Sequence, residues 1–143
     1  MTKREKRYFD IAKAVAATSE HRRTHIGAVI INKKQVLSVA CNSNKSHPLQ
    51  KQLNRLRFRP MDTAQNSIHA ELLAILRCNT DDLTGASIFV YREDKKGNIA
   101  MCRPCKACMA EIKKVGIKSI YYTTYDGFCK EDIRYDTAFP LED

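Results

Sequence analysis

Residues able to bind a metal or move a proton gather at two places in this 143-residue chain, "NSIHAELLAILRC" and "CRPCKACMAEIKKVG". In the first, His69 and Glu71 interrupt the start of an apolar helical pattern. A half-buried imidazole and carboxylate two residues apart are costly unless a metal or a hydrogen-bonded partner compensates them. In the second, Cys105 and Cys108 are three apart near the expected start of a helix, so both sulfurs can face one point and the helix N-terminus favours their thiolates. Zinc takes four tetrahedral ligands, and a catalytic zinc leaves one position to water, which requires three from the protein. His69 is the third in that reading. A Cys-x-x-Cys alone is weak evidence, because redox pairs and structural zinc knuckles share the spacing. The late position of this pair disfavours a redox unit, and the scatter of Cys41, Cys78 and Cys129 disfavours a four-cysteine site. Cys102, ahead of Pro104, is expected to aim elsewhere.

The combination is more specific than its parts. His69-Ala70-Glu71 followed by Pro104-Cys105-Lys106-Ala107-Cys108 has the form H-x-E with P-C-x-x-C, the signature of zinc nucleobase deaminases. From about Thr24 to Thr124 the chain resembles the cytidine and deoxycytidylate deaminase superfamily. The resemblance implies that His69, Cys105 and Cys108 hold Zn2+, and that Glu71 shuttles protons between water, a ring nitrogen and the departing amine. It implies an α/β, three-layer cytidine-deaminase-like fold, a mixed sheet of about five strands with helices on both faces. It also implies a homo-oligomer.

Substrate contacts are expected from Asn42, Ala70, Lys45 and Arg57. Asn42 follows the second strand, where the family places an amide against the substrate, and an amide both donates and accepts. Lys45 and Arg57 lie in a basic insertion, residues 43–66, where five positive charges from Lys45 to Arg59 face no acid. That charge, with the net +9, suits a phosphate-bearing partner. The insertion is close in length to that of deoxycytidylate deaminases, and the leading expectation is a small-molecule nucleotide substrate, deoxycytidine monophosphate converted to deoxyuridine monophosphate. A deaminase of single-stranded DNA or RNA is the alternative, and a non-catalytic zinc-stabilised nucleic-acid-binding module is the alternative of another class. Glu71 argues against the last, since a structural site has no use for that carboxylate.

The elements that must position these residues follow from periodicity. Apolar spacing at Tyr8, Ile11, Ala12, Val15 and Ala16 predicts an amphipathic helix from Thr2 to about Ser19. The runs Ala28 to Ile31 and Val36 to Ala40 predict a hairpin around "NKKQ". Residues 43–66 show no steady period and read as a long loop, a candidate lid, within which "LQKQLNRLRF" could make a short helix. "HAELLAILRC" then predicts a buried helix, "ASIFVYR" a strand, and "PCKACMAEIKKVGIK" a helix with Pro104 in its first turn and Gly116 past its end. "SIYYTT" is a strand whose Tyr121 and Tyr122 should alternate between core and surface, and "YDGF" could bring "CKEDIRY" back beside it antiparallel, as in free-cytidine deaminases. His25 reads as a surface histidine. His47 is a weak candidate for a second metal. Residues 1–143 are expected to form one domain with an acidic C-terminal segment, 125–143. Lacking a secretory core or an 18-residue apolar run, the chain reads as cytoplasmic, with no membrane partner.

Overall fold

The computed structural model describes residues 1–57, 67–133 and 137–141. Helix α1 spans Lys3–Ala16 and starts in a capping box: the Thr2 hydroxyl accepts from the Glu5 N–H, and the Glu5 carboxylate accepts from the Thr2 N–H. It ends earlier than the predicted Ser19, and its buried stripe is Tyr8, Phe9, Ala12 and Ala16. β1 (His25–Asn32) and β2 (Gln35–Cys41) form the expected hairpin. Its two-residue turn, Lys33 and Lys34, has positive φ at both positions, 49° and 67°.

The insertion, read as a long loop, carries the short helix that "LQKQLNRLRF" allowed. α2 covers Pro48–Leu53 and runs into a 3-10 turn, Asn54–Arg57. The physical reason is a capped start: the His47 imidazole accepts the Leu49 N–H, and Pro48 sits at the first helical position, where its missing N–H costs nothing. His47 is therefore a helix cap, and the rest of the predicted lid, residues 58–66, lies outside the described residues.

α3 (Ala70–Arg77), β3 (Ser87–Glu93), α4 (Lys106–Lys114), β4 (Ser119–Thr124), β5 (Gly127–Asp132) and β6 (Thr137–Leu141) complete the described chain. The helix predicted to begin at Pro104 starts at Lys106, with Cys105 as its cap. Its end matches the expectation: Gly116 takes φ 92°, its N–H bonds Lys113, and the Ile117 N–H bonds Ile112.

Among the described residues one mixed sheet of six strands, ordered β2-β1-β3-β4-β5-β6, forms the centre of the fold. Only β3 and β4 are parallel, joined through α4; the other pairs are antiparallel. The count of about five is thus one short. β5 turns back antiparallel at Tyr125-Asp126, and β6 adds an edge strand, where Pro140 is tolerated. Alternation along the strands separates two cores. Val29, Ile31, Phe89 and Tyr91 bury against Tyr8, Phe9, Ala12 and Ala16 of α1, with Tyr121 beside them. Ala28, Ile30, Ile88, Val90, Ile120 and Tyr122 pack with Leu72, Ile75, Met109 and Ile112 of α3 and α4. Helices therefore lie on both faces. Among the described residues no helix is long and apolar enough to cross a membrane.

Candidate metal and catalytic centre

α3 and α4 present their N-termini to one point, and the residue at each cap position is one of the predicted ligands. His69 caps α3 and Cys105 caps α4, yet neither side chain makes a capping hydrogen bond. They turn to each other instead. The His69 Nδ1 lies 3.2 Å from Cys108 Sγ and 3.6 Å from Cys105 Sγ. The three ligand atoms fall within 4.8 Å of one another, and they are the only such group among the described residues. Zinc–nitrogen and zinc–sulfur bonds of about 2.0 and 2.3 Å in a tetrahedron set an N···S edge of about 3.6 Å. The donor set and its spacing fit zinc. The Cys108 thiol donates to Cys105, which with the His69 imidazole nearby holds Cys105 down at about 3, while Cys105 and burial push Cys108 well up.

Glu71, on the first turn of α3, is 5% exposed and lies against Cys108. Burial raises its carboxyl above the ordinary range, against the opposing pull of His69. Ala70, the first helical residue, is fully buried, and its N–H has no intrahelical acceptor. Cys102 points elsewhere: its sulfur bonds the Val90 carbonyl and Thr123, and burial pushes it up to about 12.

Of the predicted substrate contacts, Asn42 is occupied within the chain. Its Oδ1 accepts from Ser19 Oγ at 2.7 Å and from the Ile26 N–H at 2.9 Å, and its Nδ2 donates to the Thr24 carbonyl and hydroxyl. Asn42 thereby latches the α1–β1 loop to the end of β2. Lys45 is exposed, and its carbonyl accepts the Ile68 N–H at 2.9 Å, which sets it beside the strand leading to His69. Arg57 ends the 3-10 turn, and its side chain lies outside the described residues. The exposed His25 bonds the His21 carbonyl, as a surface histidine can.

Three contributors were missed from sequence. Gln50 of α2 is fully buried; its Oε1 accepts the His69 N–H at 3.0 Å and its Nε2 donates to Asn54. The His47-Pro48 start signal could have revealed its helix. The loop carrying His21, Arg22 and Arg23 is tied to the insertion through Asn44, and His69 is among the charges that hold His21 low, after burial and Arg22. Arg103, just before the cysteine pair, grips Glu131 of β5 at 2.8 and 2.7 Å, and the Tyr122 hydroxyl donates to the same carboxylate. No local pattern in the sequence marks either of the last two.

The Arg103 hydrogen bonds hold the Glu131 carboxyl below the ordinary range. Its stabilisation is present above the unfolded glutamate value and is lost as pH falls through the lower folded one. Arg103→Met should cost about 1 kcal/mol at pH 7, a value discounted because the arginine is half exposed. Thermal melts at pH 7 and 3.5 test this: the gap between wild type and variant should shrink at the acid value, and a constant gap would contradict it.

A His-Cys-Cys group able to hold a metal ion, beside a buried carboxylate on an α/β/α frame, fits a zinc-dependent hydrolase. The model of the cytidine and deoxycytidylate deaminase zinc-binding region matches residues 2–124, and the chain belongs to that family. It is a zinc-binding hydrolytic deaminase acting on the exocyclic amine of a nucleobase. Among its relatives, the deoxycytidylate deaminase of Mycobacterium phage D29 is 27% identical over 125 residues, covering 80% of this chain and 90% of that protein. An uncharacterized deaminase of Aliivibrio fischeri is 28% identical over 85% of this chain and 73% of its own length. The fold is shared with the deoxycytidylate deaminase of cyanophage S-TIM5 solved with dCMP and dUMP, at TM-score 0.60, 17% identity, and 87% and 84% coverage of this chain and that one. Cytidine deaminase from Burkholderia pseudomallei aligns at TM-score 0.53, 14% identity, and 98% and 93% coverage.

Proposed function

We propose that this chain deaminates a cytosine nucleotide, converting deoxycytidine monophosphate to deoxyuridine monophosphate with release of ammonia. His69, Cys105 and Cys108 hold the zinc, and Glu71 is the proton carrier. The observation that carries the reading is the buried Glu71 beside a donor set whose spacing matches zinc. The likeness to the phage D29 deoxycytidylate deaminase supports the choice of substrate.

Bound zinc supplies an acidified water able to act as nucleophile at neutral pH. The chain's own groups do the rest. Glu71 carries a proton to the ring nitrogen beside the amine-bearing carbon and then to the departing amine, one carboxylate serving both transfers. The Ala70 N–H, an orphan donor at a helix start, meets the ring carbonyl. Lys45, with Arg22 and Arg23 on the loop stitched to it through Asn44, offers the phosphate its countercharge, and Arg57 is assigned the same role.

Gln50 holds the His69 backbone, so its loss should be felt at the metal. Gln50→Met leaves that N–H without its acceptor and should weaken zinc roughly tenfold in chelator competition. Unchanged zinc affinity would remove Gln50 from the site.

Zinc-loaded protein should be assayed against cytidine, deoxycytidine, their monophosphates and single-stranded oligonucleotides containing cytosine or adenine. The expected result is a kcat/KM for deoxycytidine monophosphate at least about tenfold above that for deoxycytidine, as loss of one charge-assisted contact implies. Turnover of oligonucleotides alone would overturn the reading. A second reading, the free nucleoside, is favoured by the antiparallel β5, and equal turnover with and without the phosphate would select it.

A further inference from the structure

The segment that delivers Cys105 to the metal-ligating group is tied down residue by residue. The Ala100 N–H bonds the Arg92 carbonyl at 3.0 Å, the Met101 carbonyl accepts from the Arg92 guanidinium at 3.1 Å, and the Cys102 N–H bonds the Thr123 carbonyl at 3.0 Å. Pro104 then has no N–H to offer, and Cys105, the cap of α4, turns its sulfur to His69 and makes no capping bond. This last stretch is tethered by a side chain. Arg103 reaches across to β5 and grips Glu131 with two bonds, Nε to Oε2 at 2.8 Å and Nη2 to Oε1 at 2.7 Å. The Tyr122 hydroxyl of β4 donates to Oε2 as well, at 3.2 Å.

Stability alone does not call for these groups. The Glu131 side chain is 7% exposed, and taking a carboxylate out of water costs about as much as its partner returns, so that an apolar pair of similar volume often holds two segments equally well. What an apolar pair lacks is direction. A planar guanidinium meeting a carboxylate through two parallel bonds fixes angle as well as distance, which a lysine cannot do. Tyr122 is itself buried in the core that packs α4 on the sheet, and its bond keeps the carboxylate from turning. The Arg103 backbone is thereby set against β4 and β5, and Cys105 follows two residues later.

We propose that Arg103 is a positioning residue for the metal centre: through Glu131 and Tyr122 it sets where the Cys105 sulfur stands against His69 and Cys108. The inference rests on those three residues holding the zinc and is independent of which nucleobase amine is removed.

The test is chelator competition on the intact zinc-loaded protein at room temperature, with visible absorption spectra of the same protein loaded with cobalt(II) as a report on tetrahedral geometry. Arg103→Met should bind zinc about tenfold more weakly and shift the cobalt bands. Arg103→Lys keeps the charge without the fork and should fall nearer to Arg103→Met than to wild type. Glu131→Gln keeps the volume and one acceptor oxygen, and should lose severalfold. A bridge that only stabilised the fold would lower the melting temperature of these variants and leave zinc affinity and cobalt spectrum as in wild type; that result would overturn the proposal. Wild-type affinity in Arg103→Lys would overturn it too, since charge would then suffice. Wild-type protein that takes up neither metal would instead remove the ligand assignment on which the proposal rests.

Discussion

Replacing Glu71 by Gln should lower kcat by about 10²–10⁴-fold while zinc stays bound. The side chain keeps its volume and one acceptor oxygen but can no longer take up and return a proton. Glu71 stands outside the group able to hold a metal, His69, Cys105 and Cys108, so its neutralisation leaves those donors in place. Removing one of those donors should do the reverse: His69→Ala takes away the one nitrogen of the set and should lose zinc outright. Metal content by atomic emission, alongside steady-state rates on deoxycytidine monophosphate, separates the two roles. The loss expected for Glu71→Gln corresponds to roughly 3–5 kcal/mol of transition-state stabilisation. A variant retaining more than a tenth of wild-type kcat would remove the carboxylate from the proton path.

The second large effect concerns the frame. Gly27 of β1 lies under α1 so closely that an added Cβ would sit 2.1 Å from the Ala12 carbonyl oxygen and 2.6 Å from the Ala16 nitrogen. Both contacts are helix backbone, which cannot swing aside as a side-chain tip would. Gly27→Ala must therefore lift α1 off the sheet and loosen the packing of Phe9, Ala12 and Ala16 on Val29 and Phe89. The expected destabilisation is about 3 kcal/mol or more, read as a melting temperature lower by about 10 °C. The shift would also pull on the loop after α1, which Asn42 ties down through Ser19 and Thr24, so KM should rise with the loss of stability. A melting temperature within about 2 °C of wild type would mean that α1 is seated less tightly than the structure describes.

The clustering of His69, Cys105 and Cys108 was legible from the sequence because each half of it is local. Cys105 and Cys108 share a helix start, and His69 and Glu71 share another, so spacing alone constrains where each pair can point. Tyr121 and Tyr122 do take opposite faces, as a strand requires, but each face carries a core, so the expected surface tyrosine, Tyr121, packs against the α1 core. The hairpin at Lys33-Lys34 followed from two β-branched runs. Its left-handed lysines were invisible, because the residues this turn favours are absent.

What stayed hidden depends on which distant segment supplies a partner. Gln50 looks like any polar residue of a basic stretch until folding buries it under His69. Arg103 and Glu131, 28 residues apart, read as solvated charges until β5 turns back beside β4. Asn42 was read by its place after a strand as a substrate contact, whereas its amide is engaged by Ser19, Thr24 and Ile26. By itself the sequence marked His69, Cys105 and Cys108 as one cluster and Glu71 as its neighbour, since residue type and short spacing are local. The tertiary structure alone decided how those residues are held, which strand runs antiparallel and which charges pair, because long-range pairing depends on burial shared between segments that no local pattern records.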